Sequence, residues 1–211
     1  EEQIRFAKAR VDAKIPRRIA PEDRRHIAYF QSYTNTYGDP ARLCALYSEV
    51  LARREICALS LGTRPDCLSP DIMQMLNRLR EESGKPVWIE LGLQTIHKKT
   101  ELAIHRGYPL SVFEDAYCRL KEAGFVVIVH LILGFPQETR EEMLGSVRYV
   151  ADLMRRHIPD EGGSSLPQSD GNGQSSGPDG IKLQLLQILK GTQLADDYLR
   201  KPFPLMSLEE Y

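Results

Sequence analysis

Short apolar runs alternate along the chain with helical patterns, and this alternation constrains the fold more than any other feature. The runs cover residues 27–33, 56–62, 87–93, 126–133 and 181–189. Runs of this length with helices between them are typical of parallel strands joined by helical crossovers. We therefore predict an α/β fold with about five parallel strands and with run 27–33 at an edge of the sheet.

The ends of the predicted helices follow from capping chemistry. The first N–H groups of a helix need acceptors, proline suits the first helical position, and Ser or Thr three residues before Glu forms a capping box. Glycine after a helix favours a left-handed end. The predicted starts are Asp39-Pro40, Ser69-Pro70, Ser111 with Glu114, and Thr139 with Glu142, and the predicted ends are Gly84 and Gly124.

One stretch, 159–180, interrupts the alternation. It consists almost wholly of Gly, Ser, Pro, Asp, Asn and Gln, which cannot bury enough apolar surface to order a segment. We predict a flexible insertion there, between a core domain at 1–158 and a last strand with its following segment at 181–211. Helical spacing already begins at Gln3, so we expect the chain to start inside an element.

Charge and hydropathy exclude several classes of partner. Lys and Arg number 28 against 29 Asp and Glu, so no charge excess indicates nucleic acid. The longest apolar stretch, 125–133, is too short to span a bilayer, and we expect a cytoplasmic protein without membrane partners. The four cysteines lack metal-ligand spacing, so we predict thiols and no metal ligands; they are Cys44, Cys57, Cys67 and Cys118.

Polar residues on the predicted strands are the candidates for a site, because buried parallel strands are usually apolar on both faces. Each also has a structural explanation: Glu90 or His130 could be a hydrogen-bonded core group, Arg64 could pair with Asp66 in a surface turn, and Lys182 could extend into solvent. Their recurrence at comparable depth on five strands favours a ligand site. The candidates are Gln31, Ser32, Thr63, Arg64, Glu90, Gln94, His130, Lys182, Gln184 and Gln187.

Several ordered segments together carry a family resemblance. They are YFQSYTNTY (29–37), GTRPDCL (62–68), WIELGLQT (88–95), RGY (106–108), HLILGFP (130–136), GIKLQLL (180–186), GT (191–192) and LEEY (208–211). In this order and spacing they resemble the YhcC-like family of radical S-adenosylmethionine (SAM) proteins, across the chain apart from 159–180.

The resemblance implies a partial (β/α)6 barrel of the TIM type, with its first β unit missing from this chain. It implies a radical SAM enzyme in which a [4Fe-4S] cluster, held by a cysteine loop outside this chain, reductively cleaves SAM to a 5'-deoxyadenosyl radical that acts on an unknown substrate. A flavodoxin or ferredoxin would supply the electron. The chain alone is then expected to be inactive.

The resemblance also assigns cofactor-binding residues at matching positions, without naming a catalytic residue. Second- and third-strand positions match contacts to the methionine end of SAM, fourth-strand positions face the ribose and methionine, and fifth-strand positions lie beside the ribose and adenine. In that order they are Gln31 and Ser32; Thr63 and Arg64; Glu90 and Gln94; and His130, Gly134 and Pro136.

Three departures from the family pattern leave other functions open. None of the cysteines has the cluster spacing, and Gln137 and Gln187 replace a glycine and a histidine that are frequent in related proteins. One alternative is a barrel without a cluster that acts as a binding or scaffold module. The other is an ordinary α/β-barrel lyase or hydrolase with Glu90 and His130 as acid and base.

Overall fold

The structure, a computed structural model, describes residues 2–16, 18–157, 179–207 and 209–211. Helices and strands alternate along these residues as predicted. In chain order they are α1 Glu2–Asp12, β1 His26–Phe30, α2 Pro40–Leu51, β2 Ile56–Thr63, α3 Pro70–Ser83, β3 Val87–Gln94, α4 Lys98–Ala103, α5 Leu110–Glu122, β4 Val126–Leu133, α6 Arg140–Arg155, β5 Gly180–Leu185 and α7 Gln193–Arg200.

The five strands form one parallel sheet in the order β1-β2-β3-β4-β5. The sheet curls into half of a barrel, with helices on its outer side. The predicted α/β class and partial barrel are confirmed, and β1 lies at an edge as predicted. β3 is the middle strand, so its side chains lie at the centre of both faces.

The two faces of the sheet differ in burial because side chains alternate along each strand. On the outer face, the apolar residues of the three central strands have no exposed surface and meet helix residues such as Leu76, Phe113 and Tyr117. This layer is the hydrophobic core. Its strand residues are Leu59, Leu61, Ile89, Leu91, Leu93, Val127, Val129 and Leu131.

Most predicted helix ends are confirmed. Asp39 accepts from the backbone N–H of Arg42 at 2.9 Å, and Ser69 caps α3 in the same way. Thr139 and Glu142 form the predicted capping box at α6. Gly84 ends α3 in the left-handed region at φ 63°.

The predicted capping box at Ser111 is wrong. The cap position lies two residues earlier, at Pro109, which provides no side-chain cap, and α5 begins at Leu110. Ser111 therefore lies inside the first turn, where the fixed backbone of the preceding proline already sets the direction of the chain.

Both edge strands are shorter than predicted. β1 ends at Phe30, because Asn35 in the following loop donates its side-chain amide to the carbonyls of Phe30 and Gly62, at 2.9 Å each. β5 ends at Leu185, opposite Leu133, the last residue of β4, whose carbonyl still accepts from the backbone N–H of Leu186 at 2.8 Å.

The predicted insertion at 159–180 lies outside the described residues except for Asp179 and Gly180. Gly180 begins β5, one residue before the predicted start. The Asp179 carboxylate accepts from the Tyr117 hydroxyl at 2.5 Å, from the Lys121 ammonium at 2.8 Å and from the backbone N–H of Val127 at 2.9 Å. These bonds fix the beginning of β5 beside β4.

None of the helices in the described part of the chain has the length and apolar character that a bilayer span requires.

Replacing Leu91 with alanine should lower the free energy of unfolding by about 2–5 kcal/mol, because the side chain is fully buried between β3 and the helices. The matched control is Leu102→Ala, whose side chain is 62% exposed on α4 and which should change stability by less than about 0.5 kcal/mol. Urea unfolding of both variants measures the difference. Equal losses would contradict the placement of Leu91 in the core.

Candidate functional site

Five polar side chains, one from each strand, meet on the concave face of the half-barrel. We call them the concave cluster: Tyr29, Ser60, Glu90, His130 and Lys182. They belong to strand positions that point away from the helix-covered core, and the sheet curvature brings them together. Residues far apart in the chain therefore share one open surface.

Glu90 on the middle strand is the centre of the concave cluster and is 8% exposed. One carboxylate oxygen accepts from the Ser60 hydroxyl at 2.6 Å. The other lies 2.6 Å from Nε2 of His130 and accepts from the Lys182 ammonium at 3.2 Å. Burial raises the pKa of Glu90, but hydrogen bonds from His130, Ser60 and Lys182 outweigh burial and lower the pKa from 4.5 to about 2. The carboxyl is therefore ionised at neutral pH.

Lys182 joins Glu90 to the opposite edge of the sheet. Its ammonium lies 2.9 Å from the Tyr29 hydroxyl and 4.7 Å from the centre of the Tyr29 ring. Burial lowers the pKa of Lys182, but contacts with Tyr29 and Glu90 outweigh burial and raise it. Burial also raises the pKa of the Tyr29 phenol. The cluster thus holds one carboxylate, one ammonium and a neutral phenol at pH 7.

Arg64 and Gln94 lie apart from the concave cluster, at the carboxyl ends of β2 and β3. Arg64 forms a two-pronged ion pair with Asp66 at 2.9 and 2.7 Å, the surface-turn arrangement weighed above. Its guanidinium also lies 4.9 Å from the ring centre of Tyr108, whose hydroxyl is 3.2 Å from the Gln94 side chain. We call Arg64, Gln94 and Tyr108 the rim group.

Two further candidates on the loop after β1 are exposed, and one on β2 is engaged inside the protein. Gln31 and Ser32 both face solvent. The Thr63 hydroxyl is 2.5 Å from that of Thr36, which also donates to the Cys67 carbonyl at 2.6 Å. Thr63 therefore already has a protein partner in this arrangement.

The turn after β4 lies beside the C-terminal segment. Gly134 has φ 96°, and a Cβ there would lie 3.5 Å from the Met206 side chain. Gly134 and Pro136 line a cavity of about 490 Å³ together with Phe203, Met206 and other residues of both segments. A side chain at position 134 would be strained because of this positive φ, although its Cβ would lie at ordinary contact distance from the segment.

Sequence reasoning underrated three members of the concave cluster. Lys182 is one of the polar strand candidates but is not among the residues that the resemblance assigns to the cofactor, and neither Tyr29 nor Ser60 is a candidate from the sequence. One signal for Ser60 is the alternation of side chains between the two faces of a strand. Gly62 on β2 pairs with Glu90 on β3, and Ser60 lies two residues before Gly62, so it is on the same face as Glu90. Inward positions of adjacent strands could therefore have been aligned once the strands were placed.

The four cysteines do not fit an iron–sulfur cluster. They lie on α2, β2, the turn after β2 and α5, and all four are free thiols. Among the described residues, no three His, Cys, Asp or Glu side chains are grouped as metal ligands would be. A three-thiolate site therefore cannot be assembled from this chain in the described arrangement.

The low pKa of Glu90 predicts a pH-dependent contribution to stability. A carboxyl whose pKa is lowered by folding stabilises the protein fully above its unfolded pKa, and this contribution is lost as the pH falls through the folded pKa. Wild type should exceed Glu90→Gln in unfolding free energy by about 1–3 kcal/mol at pH 7, and the difference should shrink as the pH falls from 4.5 towards 2. Urea unfolding at pH 7, 4 and 3 measures it, and a difference that is the same at all three would refute the assignment.

Comparison with known proteins gives the family. The radical SAM superfamily profile matches residues 5–150. YtqA of Bacillus subtilis is 33% identical over 90% of the chain and 51% of its own length, and YhcC of Escherichia coli is 31% identical over 89% and 53%. The chain thus spans about half the length of the curated relatives it matches.

Solved structures agree on the fold. The archaeal Elp3 of Methanocaldococcus infernus superposes with a TM-score of 0.66 at 19% identity, covering 87% of this chain and 42% of that one. Coproporphyrinogen III oxidase (HemN) of Escherichia coli, a radical SAM enzyme, superposes with a TM-score of 0.50 at 20% identity, covering 60% and 29%. The profile match over most of the chain, the half-barrel and the YhcC relationship lead to one conclusion: the chain belongs to the radical SAM superfamily and is a relative of YhcC.

Proposed function

We propose that this chain is the SAM-binding barrel of an enzyme that cleaves SAM reductively, with a [4Fe-4S] cluster held by ligands outside this chain. A flavodoxin or ferredoxin is the proposed class of electron donor. The observation that carries the proposal is the concave cluster, which places a carboxylate and an ammonium side by side on the open face of the half-barrel. Superfamily membership supports the same conclusion.

The charges of the concave cluster match the polar groups of SAM. The ribose hydroxyls and the amino group of SAM donate hydrogen bonds, which an ionised Glu90 can accept. The carboxylate of SAM needs cationic or N–H donors, and Lys182 supplies such a group beside Glu90. The cluster can thus bind the hydroxyl, amino and carboxylate groups of an amino-acid nucleoside.

The remaining proposed contacts are His130 of the concave cluster and residues at the carboxyl ends of the strands or in the loops that follow them. Gln31, Ser32, Thr63 and Arg64 are proposed to face the methionine end, Gln94 the ribose and methionine, and His130 the ribose and adenine. Gly134 and Pro136 are proposed to lie against the adenine, because both line the cavity beside the C-terminal segment. For Arg64 and Thr63 the proposal requires that ligand groups share or replace the partners Asp66 and Thr36.

Acid–base catalysis by Glu90 is disfavoured by its ionisation. A general acid must carry a proton at the working pH, and a carboxyl with a pKa of about 2 carries none at pH 7. The same low pKa makes the carboxylate a weak proton acceptor. A fixed anion that accepts hydrogen bonds is the role that this environment favours.

Glu90→Gln keeps the shape of the side chain and removes its charge, so SAM binding should weaken by about 1–3 kcal/mol. The matched control is Glu141→Gln on the exposed start of α6, where the side chain is 75% exposed and affinity should not change. NMR titration of the chain with SAM measures both variants, and circular dichroism checks that each is folded. Wild-type affinity in Glu90→Gln would withdraw Glu90 from the site.

The chain itself should bind SAM but should not cleave it. Cleavage requires a cluster, and the four thiols of the chain lie on separate elements and cannot hold one together. After anaerobic treatment with iron, sulfide and a reductant, chromatography should find no 5'-deoxyadenosine. Coproporphyrinogen III oxidase, treated identically, is the positive control for the assay. Formation of 5'-deoxyadenosine by the chain would overturn the assignment of the cluster to outside ligands.

A further inference from the structure

The contact between Tyr29 and Lys182 joins the two opposite edges of the sheet. Tyr29 is on β1 and Lys182 is on β5, and three strands lie between them. In a flat sheet four strand spacings would separate these edges by about 19 Å, which a tyrosine and a lysine side chain cannot bridge together. Their polar atoms are nevertheless 2.9 Å apart. The contact therefore exists only while the sheet is tightly curled.

Lys182 takes part in two contacts that depend on each other. Its ammonium is 3.2 Å from the Glu90 carboxylate and 2.9 Å from the Tyr29 hydroxyl, and it lies 4.7 Å from the Tyr29 ring centre. The side chain is about one-third exposed, at 35%, so both contacts border the open face. Movement of β1 away from β5 would break the tyrosine contact and release one restraint on the ammonium.

The edge strand β1 has few other restraints on its concave side. Ile27 and Tyr29, its two concave residues, are 44% and 40% exposed. On the same face Glu90 is 8% exposed. Edge strands with exposed side chains open more easily than central ones, so a cross-sheet contact has the largest effect there.

We propose that Lys182, in addition to its proposed contact with the SAM carboxylate, is a positioning residue that holds β1 against the opposite edge of the half-barrel and thereby fixes the Glu90 carboxylate for SAM. This inference rests on the proposed function for its ligand, but the contact between the edges can be tested without SAM. The titratable groups that face Lys182 are Tyr29 and Glu90, together with His130, which contacts the same carboxylate oxygen of Glu90 as Lys182 does.

The first experiment measures backbone hydrogen exchange in the chain without ligand. In Lys182→Met the amides of β1 should exchange about tenfold faster, while those of β3 keep wild-type rates. Lys182→Arg retains a cation that can reach both partners and should stay within about threefold of wild type. The control is Lys190→Met, the same chemical change at an exposed position after β5, which should leave exchange unchanged.

Tyr29→Phe is a milder variant in case Lys182→Met does not fold. It keeps the ring under the ammonium and removes only the hydroxyl, so β1 exchange should rise by less than in Lys182→Met. Unchanged β1 exchange in both variants, or equal acceleration in β1 and β3, would overturn the contact as a restraint between the edges.

The second experiment titrates the same variants with SAM. The proposal expects about tenfold weaker binding in Lys182→Met and near wild-type binding in Lys182→Arg. Weaker binding with unchanged β1 exchange would overturn the positioning role and leave only the direct contact of Lys182 with SAM, and faster exchange with unchanged affinity would overturn the link to Glu90. Absence of SAM binding by the wild type would overturn the proposed function alone, because the exchange result stands independently.

Discussion

The buried carboxylate of Glu90 needs hydrogen-bond donors around it, and this requirement links the shape of the sheet to the chemistry of its open face. An unpaired charge at the depth of Glu90 would cost several kcal/mol, so the carboxylate needs donors around it. Ser60, His130 and Lys182 supply them from β2, β4 and β5. No single neighbouring strand could provide all three. The curl of the sheet that brings these donors together also forms the concave surface on which a ligand can lie.

Alternation along the strands lets the same segment stabilise the protein and build the site. On β3, Ile89 and Leu91 lie in the core without exposed surface, while Glu90 between them faces the concave side. The parallel ladder with β2 and β4 fixes this phase, because a slip of one residue would move the carboxylate into the core. The register of β3 with its two neighbours is therefore needed both for a stable core and for the position of Glu90 on the concave face.

The sequence predicted the elements better than the grouping of their polar residues. Strand runs, caps and glycine ends are local signals, so the five parallel strands, the edge position of the first run and most helix starts could be predicted. The grouping of polar side chains depends on the curvature of the sheet and on competing partners nearby in the chain. Curvature brings Lys182 to Glu90, 92 positions away, whereas Arg64 pairs with Asp66, two residues further along. At Gln94 an irregularity after Gly92 and a φ of 65° turn the side chain away from the row, which a regular alternation could not predict.

The loop after β3 is fixed by protein bonds alone, and this determines how a ligand can use the rim group. Arg106, 5% exposed, donates to the carbonyls of Leu93, Thr95 and Tyr108 and forms a buried ion pair with Glu101 at 2.7 Å. Because these bonds are made on folding, a ligand at the rim need not order this loop, and the entropic cost of binding falls on the ligand and on exposed side chains. Arg106 therefore acts on the rim through Tyr108 and the backbone of β3. By contrast, the concave cluster includes a contact with the edge strand β1. Changes in sheet curvature therefore affect the geometry of this cluster more than that of the rim group.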